Sequence, residues 1–195
     1  MVEQLCHLLF LEESGYVKIY YGDESGFSLE PSLAYGWQPK ATYVKIVPKK
    51  SKRLNVFGLL CRDNHLQAYS SEQAINGKLI IAFLDDFAQQ IKQRTVVVLD
   101  NAPIHHSQEF EDKIAEWQKQ DLHIFFLPTY SPHLNLIETL WRKIKYQWLK
   151  PHHYLSWQTL TNAIEQIVND LGDSLTIEFD ELKHFTHFKT SFIFN

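Results

Sequence analysis

The stretch Thr95-Val96-Val97-Val98-Leu99 is a continuous β-branched run that stops at Asp100. A run of this kind reads as a strand buried on both faces, which requires a partly parallel sheet with helices above and below it. The neighbouring sequence supplies those layers. Val17–Tyr21 is a short β-branched and aromatic run that enters Gly22-Asp23, so a strand is expected to reach or just pass Asp23. Leu54–Cys61 and His65–Tyr69 flank Arg62-Asp63-Asn64, a hairpin signal. A strand is also expected at His123–Leu127, ending before Pro128.

Helices fill the intervals. Leu79, Phe83 (or Ala82), Phe87 and Ile91 give an apolar stripe over Gly77–Gln93. Ser107–Gln120, Asn135–Trp148 and Trp157–Leu171 read as three more helices. Strands first paired as a hairpin and then alternating with helices predict an α/β fold, a mixed five-stranded sheet flanked by helices. The chain of 195 residues reads as one domain. Residues 24–53 form a loop-rich insertion with a short strand at Thr42–Val47, and 172–195 form a C-terminal tail. A domain of this size buries roughly 70% of its unfolded surface, so it needs no disulfide or metal merely to fold.

Hydrophobic residues make up 45% and charged residues 22%, which excludes disorder as the main state. No apolar run approaches the roughly 18 residues of a membrane helix. The opening MVEQLCHLLFLEESG lacks the pattern of a signal peptide. Cys6 and Cys61 are in no metal spacing, and His105-His106, His152-His153 and His184/His187 are not expected to be metal sites. A reducing cytoplasm is the expected location.

Charge is unevenly distributed. Residues 40–53 hold Lys40, Lys45, Lys49, Lys50, Lys52 and Arg53 with no acid, whereas 165–181 hold six acids and no base. That separation fits one face that meets an anion; two solvated faces without a partner fit it as well.

Three acids stand at element ends: Asp23, Asp100 and Glu138. In open α/β sheets ligands gather at the carboxyl ends of strands, where the loops diverge. Carboxylates without nearby thiols prefer hard cations, here Mg²⁺ or Mn²⁺. Two such ions about 4 Å apart activate water and stabilise the leaving oxygen in phosphodiester cleavage. Each acid also has a local explanation. Asp23 would serve as a turn residue in Gly-Asp-Glu-Ser-Gly, Asp100 as a cap for the following segment, and Glu138 as the second half of a capping box begun by Asn135.

Four blocks extend the pattern: GDESGF, YGWQPK, VVVLDNAPIHHS and LPTYSPHLNLIETLWRKIK, from about residue 20 to 148. In these blocks and their order the chain resembles the DDE transposases of the mariner superfamily, specifically the bacterial insertion-sequence branch called the six-thirty family. The resemblance implies an RNase H-like fold and a metal-dependent enzyme that cuts DNA at element ends and joins the 3′-hydroxyl to target DNA. It implies that Asp23, Asp100 and Glu138 are the catalytic metal ligands for two Mg²⁺ or Mn²⁺ ions. Glu24, Asn101 and His105 are possible supports of that site.

It further implies DNA as the partner, with TA dinucleotides as target, and a homodimer in the active complex. Lys49, Lys50, Lys52, Arg53, Arg142, Lys143 and Lys145 are candidates for backbone phosphates. Arg142 has the alternative of a Glu138–Arg142 pair on an exposed helix face. Tyr35, Trp37 and Tyr43 fit either DNA contacts or a clasp on a second subunit; Trp141 and Trp148 read as core. Leu136 stands where many relatives have proline. Only residues 1–22 precede Asp23, so the helix-turn-helix that reads element ends is expected to be absent, or to be supplied by a separate chain. An RNase H-like nuclease that only hydrolyses, or an inactive copy repurposed for binding or assembly, are the alternative readings.

Overall fold

In the computed structural model, which describes residues 2–30, 52–129 and 131–179, all five residues of Thr95–Leu99 are buried. Val96 and Val98 join one apolar cluster, Val97 and Leu99 another, so the run is covered on both faces. The elements in order are α1 (Val2–Glu13), β1 (Lys18–Ser28), β2 (Arg53–Leu60), β3 (Leu66–Ser71), α2 (Gly77–Gln90), β4 (Thr95–Leu99), α3 (Gln108–Gln118), β5 (Leu122–Phe126), α4 (Ile137–Lys143) and α5 (Trp157–Asp170). The sheet order is β3-β2-β1-β4-β5. β1, β2 and β3 are antiparallel, while β1, β4 and β5 run parallel.

One core holds Ile19, Tyr21, Val56 and Leu60 of the sheet against Leu5 and Leu9 of α1, Ile137, Leu140 and Trp141 of α4, and Leu160 and Ile164 of α5. The other holds Tyr20, Phe57 and Leu59 against Ile80, Leu84 and Phe87 of α2 and Phe110 and Trp117 of α3. No helix among the described residues is long and apolar enough to cross a membrane.

The structure departs from the sequence expectations in four places. β1 does not stop near Asp23 but pairs with β2 as far as Ser28–Arg53. Gly22 and Gly26 therefore mark close packing rather than a turn. A Cβ on Gly22 would lie 2.6 Å from Leu99 Cδ2, and the Arg53 side chain fills the space a Cβ on Gly26 would take. α1 lies where the sequence reading assigns no element; its apolar residues Leu8–Leu11 run consecutively and form no single helical stripe. α2 ends at Gln90 because Ile91 turns to an extended conformation. The helix expected over Asn135–Trp148 is divided: a 3₁₀ turn at Pro132–Leu134 precedes α4, and a π-helix at Ile144–Trp148 follows it. The strand expected at Thr42–Val47, the aromatic residues Tyr35, Trp37 and Tyr43, and Lys49 and Lys50 lie outside the described residues, as does 180–195.

Candidate active site

The parallel register of β1 and β4 ends at Tyr21 opposite Val98. Two residues further along each strand stand Asp23 and Asp100, so the pairing brings these two acids level at the carboxyl end of β4. Glu138 stands in the first turn of α4, facing the same cleft. All three line one cleft of about 480 Å³, together with Asn101, Thr129, Ser131 and Asn135.

α4 is seated on the sheet by specific contacts. Buried Asn135 donates Nδ2–H to the Gly22 carbonyl at 3.0 Å. Trp141 donates Nε1–H to Asp23 Oδ2 at 3.1 Å. Gly58, the cross-strand partner of Asp23, has no side chain to keep the helix away; a Cβ there would be 2.9 Å from Ile137 Cδ1. Residues 135, 138 and 141 follow one another at helical spacing, so two anchors to β1 bracket Glu138.

These contacts decide among the local explanations. Asp23 lies within a paired strand, not at a turn. The Asn135 side chain is turned to Gly22, and its Oδ1 is buried without a partner among the described residues, so the Asn135–Glu138 capping box is not formed. Asp100 Oδ1 does accept Ala102 N–H at 3.3 Å. The cap of α3, however, is Ser107, whose Oγ accepts Phe110 N–H.

The electrostatics separate the two aspartates. Burial, with the fields of Glu138 and Asp100, pushes the Asp23 carboxyl up to about 7. Asp100 moves the other way: a hydrogen bond from buried His105, with Nε2 at 3.2 Å from Oδ1, holds it below the ordinary carboxylate value. Glu24 alternates to the opposite side of β1 and does not line the Asp23 cleft. It borders a second hollow with Gly26, Arg53, Asn55 and Glu72. Burial raises its carboxyl, and His105 and Asp100 lie within its field. Asn101 is held by His106.

Of the described basic residues expected near phosphates, Lys145 lies within the fields of Glu138 and Asp23. It is half-buried, with Nζ 5.4 Å from the Phe27 ring centroid. Burial and the charge of Arg53 depress its pKa, opposed by Glu138 and Asp23. Arg142 is exposed and donates to Thr139 Oγ1 at 3.4 Å. Lys143 is partly exposed one residue further along α4. Lys52 pairs with Glu72 at 3.4 Å and lies over Trp157.

Among the described residues no three His, Cys, Asp or Glu side chains converge closely enough to hold an ion as they stand. The donor set nevertheless fits a hard divalent cation. The cleft presents oxygen donors and no thiolate, and the Asp23 carboxyl, raised chiefly by burial, also lies in the negative fields of Glu138 and Asp100.

Sequence reasoning missed Asn135, Gly58 and the polar role of Trp141. A buried indole N–H requires an acceptor, and that was the available signal.

Comparison with known proteins bears on the family and the fold. The family described as DDE superfamily endonuclease matches residues 18–161. The Insertion element IS630 uncharacterized 39 kDa protein of Shigella sonnei is 25% identical over 146 residues, covering 73% of this chain and 42% of that protein. Among solved structures, the Mos1 transposase paired-end complex with left transposon end aligns with TM-score 0.57 at 12% identity, over 85% of this chain and 52% of that one. The mariner Mos1 paired end complex with Mg aligns with TM-score 0.53 at 14% identity, over 83% and 51%; a Mos1 complex with Mn is similar too, with TM-score 0.53 at 13% identity, over 84% and 52%. The chain thus spans about half the length of these relatives or less. The likeness shows an RNase H-like fold for its mixed five-stranded sheet flanked by helices. The chain belongs to the DDE superfamily endonuclease family.

Proposed function

We propose that this chain is the catalytic domain of a cut-and-paste DNA transposase. It would hydrolyse a phosphodiester at an element end and then direct the freed 3′-hydroxyl into target DNA. The observation that carries the reading is the convergence of Asp23, Asp100 and Glu138 on one cleft from two parallel strands and a helix.

Asp23, Asp100 and Glu138 would hold two Mg²⁺ or Mn²⁺ ions, which when bound supply nucleophile activation and leaving-group stabilisation. The rest of the work falls to the chain itself. His105 fixes the orientation of Asp100 and keeps it ionised. Asn135 and Gly58 set the height of α4 over β1, and with it the reach of Glu138. Arg142 and Lys143 lie on the helix that carries Glu138 and Lys145 on the π-helix that follows it, where a DNA backbone entering the cleft would pass. Lys52 and Arg53 would extend that track, and Lys49 and Lys50 are further candidates for backbone phosphates. Sequence-selective reading of element ends is assigned to a helix-turn-helix on another segment or chain. The active complex would be a homodimer on bacterial DNA in the cytoplasm.

The test is a cleavage and joining assay on duplexes carrying the element's ends, with and without Mn²⁺. Joined products that require Mn²⁺ and disappear in Asp100→Asn support the reading. Cleavage without joining would assign the chain to hydrolytic nucleases, and neither product would remove the enzymatic reading.

A further inference from the structure

Trp141 is 3% exposed and packs like any core residue, with its ring edge-on to Phe27 at 6.3 Å. Its polar end is less ordinary. The indole N–H meets Asp23 Oδ2 at 3.1 Å, so an acid of the candidate site is tied to the helix that carries Glu138. The ring reaches that point only because Gly58 stands beside Asp23 on β2. A Cβ at 58 would lie 3.0 and 3.1 Å from Trp141 Cη2 and Cζ2. The indole therefore occupies the place of the missing side chain, directly against the carboxylate.

We propose that Trp141 is a positioning residue for Asp23: its N–H holds Oδ2 and so restrains the carboxylate that a cation would meet. This rests on the metal-site reading given above. A carboxylate on a strand otherwise rotates about its side-chain bonds, and a cation must then bear the cost of ordering it. Hydrogen bonds to the outer oxygen of a ligand remove that cost, and losing such a partner typically weakens metal affinity about 10- to 100-fold. The opposing explanation is that Trp141 is a core residue whose N–H merely uses Asp23 as an acceptor. That explanation predicts a stability effect and no effect on the cation.

The structure supplies a matched control. Trp117 is fully buried and donates Nε1–H to Asp85 at 2.8 Å on the other side of the sheet. Trp117→Phe and Trp141→Phe both remove one buried indole hydrogen bond and keep an aromatic ring. The experiment measures melting in chelator and Mn²⁺ affinity by calorimetric titration, well below each melting point, for the wild type and both variants. The expected result is a similar modest loss of melting temperature in both, with Mn²⁺ affinity lowered about 10- to 100-fold in Trp141→Phe alone. Unchanged or tighter Mn²⁺ binding by Trp141→Phe, or equal weakening in Trp117→Phe, overturns the proposal. Should the wild type itself bind no Mn²⁺, the metal-site reading fails and the positioning role falls with it.

Discussion

Replacing Asp23 by asparagine in the metal-free protein should stabilise it at alkaline pH. The Asp23 carboxyl titrates at 3.8 in the unfolded chain and at about 7 in the fold. Between those values the folded state holds a proton that the unfolded state has released, so stability is fully present below about pH 4 and is lost as pH rises through about 7. At roughly 1.36 kcal/mol per pH unit between the two values, the loss has a ceiling of about 4 kcal/mol. The cleft admits water, so about half of that ceiling is expected in practice. Asparagine is neutral throughout and keeps an oxygen that accepts the Trp141 N–H. Asp23→Asn should therefore melt about 4–8 °C above the wild type at pH 8, using ~2–4 °C per kcal/mol for a chain of this size. The difference should vanish near pH 4. Calorimetry across that range in chelator is the assay. A variant that melts no higher than the wild type at pH 8, or a gap that widens in acid, refutes the claim that clustered, buried charge strains this cleft.

Gly58→Ala should destabilise by about 1–3 kcal/mol through overpacking against Ile137 and Trp141, measured by urea unfolding; a neutral result would show that α4 lifts freely from the sheet. His105→Ala should lose about 1 kcal/mol from the hydrogen bond that His105 gives the half-exposed Asp100, in addition to lost packing. Because Asp100 is held below its ordinary value, that contribution is present above the ordinary carboxylate range and lost as pH falls through the Asp100 titration, so the gap from the wild type should narrow in acid melts. DNA binding by this chain alone should be weak, steeply salt-dependent and indifferent to sequence; Lys145→Glu should weaken it alike on all duplexes in an anisotropy titration, and selective binding to element ends would contradict the assignment of end-reading elsewhere.

The parts of the fold legible in the sequence are those governed by local pattern. The valine run announced β4 and its coverage on both faces, and Arg62-Asp63-Asn64 announced the hairpin, where Asn64 takes a left-handed φ of 65°. The parts that were not legible depend on partners distant in sequence. Gly22 and Gly26 read as turn residues because glycine signals both turns and close packing, and only the pairing with β2 tells them apart. Glycine at 58 carried no signal until α4 lay on it. Trp141 read as core, and it is; that its N–H would find Asp23 depends on two residues 118 positions apart. Reading Asp23, Asp100 and Glu138 at element ends pointed to one edge of the sheet before any contact was known, although Asp23 stands inside β1 and not at its end. The opposite displacements of the two aspartates did not, since they arise from burial and from His105.

Asp23, Asp100 and Glu138 are proposed to form one site for divalent cations. A Mn²⁺ titration followed by the electron paramagnetic resonance of free ion tests it most directly, on the wild type, Asp100→Asn and Glu138→Gln, each verified as folded. The expected result is saturable binding of two ions by the wild type, weakened at least about tenfold in each variant, because each removes a charged oxygen donor of the same site. Equal Mn²⁺ affinity in all three proteins, or no binding by the wild type, would contradict it.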